Sequence, residues 1–290
     1  MSAIKSYTDY LLKRFQIIPL SVLVLSDVLV IGRIADVTSN GWWVQATVFF
    51  MVLAYLFNNR VGDDKRDFAF DALHYPDRAV QQGTIGLKQL EFLGTLTMMA
   101  MVGLAWLLGM TSFLLVIPVW LFGWWAKKDF SLPVWFKEKY FFLYNFLNML
   151  QMLVLQVFIY LSLIDSFDLT PLIWLHVAFV FALSLQVEVT RKIKVQPTTA
   201  NDMYSDRMGM PWALTLWMLL GAICVLLSSM LAVQMSIELS VVWISATCWM
   251  LIMLAGAMYY LKKRVSSAEN VFWLAMIVSY VGQNLVLAYA

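Results

Sequence analysis

The sequence predicts an all-α, polytopic membrane protein, and three observations predict it. Apolar residues make up 62% of the chain and charged residues only 13%, far from the roughly 25% charged of a soluble domain. Mean hydropathy is +0.76. The apolar residues also fall into separate runs near the roughly 20 residues that a bilayer-spanning helix needs. Between those runs, Lys and Arg gather in alternate connecting segments, as the retention of positive charge on the cytoplasmic side requires.

Taken in order, the runs are about 16–36, 42–58, 88–109, 111–126, 140–164, 170–190, 212–234, 239–261 and 269–289, which predicts nine transmembrane helices. The N-terminal MSAIKSYTDYLLKRF is amphipathic and charged and leads directly into the first run, so that helix is expected to stay rather than be cleaved. Pro19, Pro171 and Pro211 lie at or near helix starts, where a missing N–H is harmless. Gly41, Gly109 and Gly209 mark turns. Cys224 and Cys248 sit in separate apolar runs, where free cysteine behaves as a small hydrophobe. Residues 1–290 are expected to form a single integral-membrane domain.

With the N-terminus placed in the cytoplasm, nineteen of the twenty basic residues fall inside and only Arg33 falls outside. The C-terminus then ends on the outer side. The outer links carry mainly acids, namely Asp36, Asp165, Asp168 and Glu238. With the basic residues so used for topology, the expected surroundings are membrane lipid, and no nucleic-acid partner is expected.

Five of the eighteen acidic residues lie between Asn58 and Gly83: Asp63, Asp64, Asp67, Asp71 and Asp77. In a helix from Asp64 onward, the i, i+3, i+7 spacing puts Asp64, Asp67 and Asp71 on one face. Stacked like charges repel. A row of hard oxygens is nevertheless what Mg²⁺ takes when it bridges carboxylates to substrate phosphates. The alternative is a solvated acidic loop between two membrane helices. A second charged stretch, Glu188 to Gly209, carries Asp202 and Asp206 at i, i+4, expected on one helical face and on the same side of the membrane. A third, Asp129 to Asn145, supplies Lys137, Tyr140 and Asn145. With Arg78, Lys137, Arg191 and Lys192 available as cations, the three stretches together predict a diphosphate site.

These motifs resemble those of the UbiA superfamily of intramembrane prenyltransferases. The family's Asn-Asp-x-x-Asp-x-x-x-Asp, followed by Pro-x-Arg-Pro and Gly, is similar to Asp63-Asp64-x-x-Asp67-x-x-x-Asp71, Pro76-Asp77-Arg78-Ala79 and Gly83. Asp63 stands where Asn is usual and Ala79 where Pro is usual. The second signature is similar to Asp202-x-x-x-Asp206, with Tyr204 and Gly209 around it. The intervening Tyr-Ser-x-Pro-x-x-x-Lys loop is similar to Phe130-Ser131-Leu132-Pro133 through Lys137. The resemblance implies nine helices around a central cavity with cytoplasmic acidic cap loops. It also implies Mg²⁺-dependent transfer of a prenyl group from an isoprenoid diphosphate to a lipophilic, often aromatic, acceptor.

On that resemblance Asp63, Asp64, Asp67, Asp71, Asp202 and Asp206 would hold Mg²⁺. Arg78, Lys137, Arg191 and Lys192, with Tyr140, Asn145 and Tyr204, would bind substrate. Tyr55, Phe57, Tyr140 and Tyr144 either stabilise an allylic cation or pack. Asn145, Asn148, Gln151 and Gln156 form one stripe that either glues helices or meets substrate. Asp27, mid-span, is expected to face a cavity or a partner, Glu188 to orient Arg191, and His74 and His176 to be structural. A membrane terpene cyclase, which ionises the same diphosphate without an acceptor, is the alternative. A cation or lipid transporter is the non-enzymatic one. The usual Arg-Pro of an acceptor-carboxylate pocket is not reproduced by Lys13-Arg14-Phe15 and Pro19.

Overall fold

Every regular element is a helix among the residues that the computed structural model describes, which are 3–37, 41–164, 166–196, 201–263 and 265–290. Asp165 and Arg264, counted above among the loop charges, lie outside them. The order is α1 (Ala3–Asp9), continued by a π-helical turn Tyr10–Arg14, then α2 (Ile17–Ile34), α3 (Trp42–Arg66), α4 (Phe68–His74) and α5 (Leu87–Leu108). There follow α6 (Met110–Lys127), α7 (Val134–Lys139), α8 (Phe141–Ile164), α9 (Pro171–Arg191), α10 (Tyr204–Met208), α11 (Met210–Gln234), α12 (Leu239–Lys263) and α13 (Ser266–Tyr289).

Local chemistry explains the boundaries. Thr170 caps α9 by accepting the Ile173 N–H at 3.4 Å, and Pro171 follows at the first helical position. Gly109, at φ +133°, lets α5 and α6 join through one residue. Pro118 sits inside α6, a position membrane helices tolerate.

Among the described residues, eight helices are long and apolar enough to cross a bilayer: α2, α5, α6, α8, α9, α11, α12 and α13. They expose large apolar side chains such as Phe92, Trp106, Leu107 and Leu121, and the chain is an integral membrane protein. The span expected at 42–58 falls on α3, which is not among the eight. Gln45, Asn58 and Asn59 dilute its apolar character, and the helix runs on to Arg66. The acidic stretch therefore begins on the last turns of a long helix rather than in a loop. It is stabilised there by Arg60 with Asp64 at i, i+4 and Asp63 with Arg66 at i, i+3.

The chain divides into two compact units. The first comprises Met1–Val28, Ala35–Tyr144 and Phe158–Phe167. Here α3 lies along α5, where Asn58 Nδ2 donates to the Gly94 carbonyl at 2.7 Å. Lys127 of α6 donates to Asn58 Oδ1. Its alkyl chain crosses Gly62 so closely that an added Cβ would meet Lys127 Cδ at 2.5 Å. Asp27 is buried and interacts electrostatically with Tyr160, so the mid-span acid does have a neighbour of its own. The second unit comprises Leu29–Ile34, Asn145–Val157 and Asp168–Ala290. In it α11 packs on α9, with Trp217 Nε1 donating to Thr190 Oγ1 at 2.8 Å, and Ser228 donates to Gln283 Oε1 of α13 at 2.6 Å. Small residues allow close approach, as membrane helix pairs require: a Cβ on Gly256 would lie 2.6 Å from Ala275 Cβ. Arg33, the one basic residue expected outside, donates to the Leu287 carbonyl at 2.8 Å.

Candidate diphosphate site

In the first unit an apolar floor of Tyr10, Phe15, Phe57, Val61, Val80, Ile85 and Leu90 carries the charged residues. Phe57 stands edge-on to Phe15 at 5.2 Å and to Tyr10 at 6.3 Å, so this ring packs. Above the floor the carboxylates sort into two groups, each centred on an arginine.

Arg14 centres the first group. Its Nε and Nη2 donate to Asp64 Oδ1 at 2.9 and 2.5 Å, and Nη2 reaches Asp71 Oδ2 at 3.3 Å. Asp64 also accepts from the Tyr10 hydroxyl at 2.6 Å and Arg60 Nη2 at 3.3 Å. Arg78 pairs with Asp71 and lies over the Tyr75 ring, 3.9 Å from its centroid. Both carboxylates are 2% exposed, and a buried carboxylate persists only when it is paired and hydrogen-bonded. Burial pushes the Asp71 carboxyl up, against the opposing pull of Arg78 and Arg14. Burial, with the Asp64 charge beside it, also lifts the Tyr10 phenol well above its ordinary range.

Arg66 centres the second group. It holds Asp67 through two bonds of 2.9 and 3.0 Å, Asp63 at 3.1 Å and Asp129 at 3.4 Å. Burial works to lower its pKa, and the Asp63 and Asp67 charges outweigh it. Asp129 further accepts from Lys137 and from the Tyr144 hydroxyl. Lys137 Nζ lies 5.4 Å from the Tyr144 ring centroid. Asp129, Phe130 and Ser131 all take left-handed φ values, of 55°, 56° and 59°, each costing about 1–2 kcal/mol in a non-glycine residue. Phe130 packs on Trp125 and Phe122 at 5.2 and 5.9 Å, which helps to hold that backbone.

Thus Asp64 and Asp71 share a face, as expected, but Asp67 turns from them to Arg66. The helix is interrupted at Asp67, whose φ and ψ are −92° and 8°. Around the end of α3, Asp63, Asp64, Asp67, Asp71 and Asp129 meet Arg14, Arg60, Arg66, Arg78 and Lys137. Within these ion pairs five acids meet five cations. Arg14, Tyr10, Arg60, Arg66 and Asp129 were not anticipated as members of it. The i, i+4 and i, i+3 spacings of Arg60 and Arg66 to acids were a usable signal; Arg14 and Asp129 had none, being distant in sequence.

In the second unit, Glu188 accepts from Lys192 at 2.8 Å and Arg191 at 3.4 Å, so it orients both cations rather than Arg191 alone. Lys192 Nζ also donates to Asn145 Oδ1 at 2.6 Å. The Tyr204 N–H donates to the Lys192 carbonyl at 2.8 Å, folding the second acidic stretch back on the end of α9. Burial and Glu188 push the Tyr204 phenol up. Asp202 and Asp206 do not share a helical face, because α10 begins at Tyr204 and Asp202 precedes its extended cap residue, Met203. Both are partly exposed. Asn145, Gln151 and Gln156 are buried, and Gln151 donates to Asn148 at 2.8 Å, so that pair of the stripe bonds within its own helix. Tyr140 is exposed, Tyr55 is buried against Gly123, and the His74 ring lies tilted against Phe70, with centroids 4.5 Å apart. His176 is fully buried in α9.

Among the described residues no three acidic, histidine or cysteine side chains converge as a metal-binding group. Mg²⁺, however, uses one or two carboxylates, with waters and substrate phosphates supplying the rest. Asp63 and Asp67, whose side chains are 29% and 38% exposed beside Arg66, fit that requirement. Asp64 and Asp71, also paired with arginines, are buried.

An α-helical membrane protein with paired acids and arginines at a helix end is the class that fold and site define. Its fold is that of UbiA proteins. The chain is similar to the apo structure of a UbiA homolog from Aeropyrum pernix K1, with a TM-score of 0.65 over 92% of this chain and 96% of that one, at 14% identity. It is also similar to a digeranylgeranylglyceryl phosphate synthase, with a TM-score of 0.53 over 97% and 99% of the two chains, at 16% identity. No family model and no curated protein matches the sequence.

Proposed function

We propose that the protein transfers a prenyl group from an isoprenoid diphosphate to a lipophilic acceptor within the membrane. The observation that carries this reading is the pair of arginine-centred carboxylate groups at the end of α3, in a chain with the UbiA fold. The synthase among its neighbours is named for a product bearing two prenyl chains, which agrees with prenyl transfer as the chemistry.

In this proposal Arg78 and Lys137 take the diphosphate oxygens, because a guanidinium and an ammonium offer the charge-assisted bonds that phosphate accepts. Asp64 and Asp71 hold Arg14 and Arg78 in place. Asp63 and Asp67 would hold Mg²⁺, which supplies charge neutralisation of the diphosphate. The allylic C–O bond breaks, the electron pair leaves with diphosphate, and the allylic cation is captured by an acceptor nucleophile that then loses its proton. Water must be excluded from that step, and burial of a prenyl tail among membrane helices provides the dry surroundings. To Arg191, Lys192, Asn145, Tyr204, Asp202 and Asp206 of the second unit we assign a phosphate- or metal-binding role. The cytoplasm is the proposed location of the N-terminus and of both acidic stretches.

One observation favours a cyclase or an uncharged acceptor over a carboxylated aromatic one. Arg14, near the start of the first helix where the resemblance places an acceptor-carboxylate pocket, is engaged with Asp64 and Asp71. The test is to incubate the purified protein with Mg²⁺ and prenyl diphosphates of increasing length, with and without lipophilic acceptors, and to follow diphosphate release. Release that requires an acceptor supports transfer. Release with hydrocarbon or terpene alcohol as product and no acceptor supports cyclisation. No release under any condition overturns both.

A further inference from the structure

We propose that Asp129 is a positioning residue of the diphosphate site, holding Lys137 in the geometry that receives the phosphates; this rests on the prenyl-diphosphate reading above. Its two oxygens serve three donors from three elements: Lys137 of α7, the Tyr144 hydroxyl of α8, and Arg66 of α3 at 3.4 Å. Lysine is a flexible point charge, and here its ammonium is confined between the Asp129 carboxylate and the Tyr144 ring, 5.4 Å from the ring centroid. Asp129 is itself fixed by three successive left-handed residues, a conformation that persists only where the surroundings impose it. Arg66 already has Asp63 and Asp67, so its neutralisation does not need a third carboxylate. Lys137 pairs with Asp129, and it is Lys137 that depends on this residue for its place.

Two physical effects predict opposite signs, which makes the inference decidable. If Asp129 acted only through its charge, its removal would leave the site more positive and tighten phosphate binding. If it acts by positioning, removal releases Lys137 and weakens binding.

The test is calorimetric titration of the full-length protein in detergent with inorganic pyrophosphate and Mg²⁺, with folding followed by helical circular dichroism. Asp129→Asn is expected to weaken pyrophosphate binding roughly tenfold or more, the worth of a hydrogen bond to a charged group. Lys137→Met is expected to cost a similar factor in the native background but less than about threefold in the Asp129→Asn background, because coupled residues are non-additive. Asp129→Glu should recover part of the loss. Tyr144→Phe, which keeps the ring and removes one bond to Asp129, should weaken binding by a smaller factor and remains informative if Asp129→Asn does not fold. Unchanged or tighter binding in Asp129→Asn, or full additivity with Lys137→Met, overturns the inference and leaves the prenyl-diphosphate reading standing. No pyrophosphate binding by the unaltered protein overturns that reading and this inference with it.

Discussion

Arg14 grips Asp64 with two hydrogen bonds, of 2.9 and 2.5 Å, across fifty residues of sequence. The pair ties the N-terminal π-helical turn to the end of α3, and the same guanidinium reaches Asp71 at 3.3 Å. The acidic motif is therefore joined to the first segment of the chain by charge, over an apolar floor that both segments contribute.

Arg14→Gln should destabilise the protein by about 3 kcal/mol, since it strips a cation from two buried carboxylates. Thermal unfolding in detergent measures it. Adding Asp64→Asn should recover part of the loss; a double variant less stable than Arg14→Gln alone would show that the pairing is not the cause.

Tyr10→Phe removes one donor to Asp64 and leaves the ring packed on Phe57. The expected cost is about 1.5–3 kcal/mol, because the acceptor is a buried charge, again read from unfolding in detergent. A change below 0.5 kcal/mol, roughly the scale of a neutral surface substitution, would contradict the bond.

Arg78→Lys should weaken pyrophosphate binding roughly tenfold or more, despite keeping the charge. A lysine cannot both pair with Asp71 and lie flat on Tyr75 as the guanidinium does. Equal affinity of the two proteins in calorimetry would remove Arg78 from the phosphate site.

Ser131→Gly should stabilise the loop by about 0.5 kcal/mol, the relief of a left-handed φ less the added entropy cost of glycine. Ser131 is exposed, so the substitution empties no core position. A lower melting temperature would indicate that its side chain contributes a bond of greater worth.

Much of the fold was legible in the sequence because apolar runs of spanning length have few other destinations. The eight spanning helices coincide with predicted runs to within a few residues, while α3 runs past its apolar part because its own i, i+3 and i, i+4 charge pairs carry the helix to Arg66. The Asp64 and Asp71 relationship was also legible, as a helical spacing. The turning of Asp67 to Arg66 was not, because it depends on a backbone irregularity at Asp67 itself. Nor was the separation of Asp202 from Asp206, which follows from where a five-residue helix happens to begin.

By itself the sequence determined that this is a helical membrane protein, where its eight long apolar helices run, and that its carboxylates and cations gather outside the apolar runs. Those properties follow from composition and from periodicity along the chain. Only the tertiary structure decided which cations meet acids far from them in the chain: Arg14 with Asp64 and Asp71, Arg66 and Lys137 with Asp129. Ion pairing depends on separation in space, and a chain folded back on itself brings together charges whose distance in sequence carries no record of it.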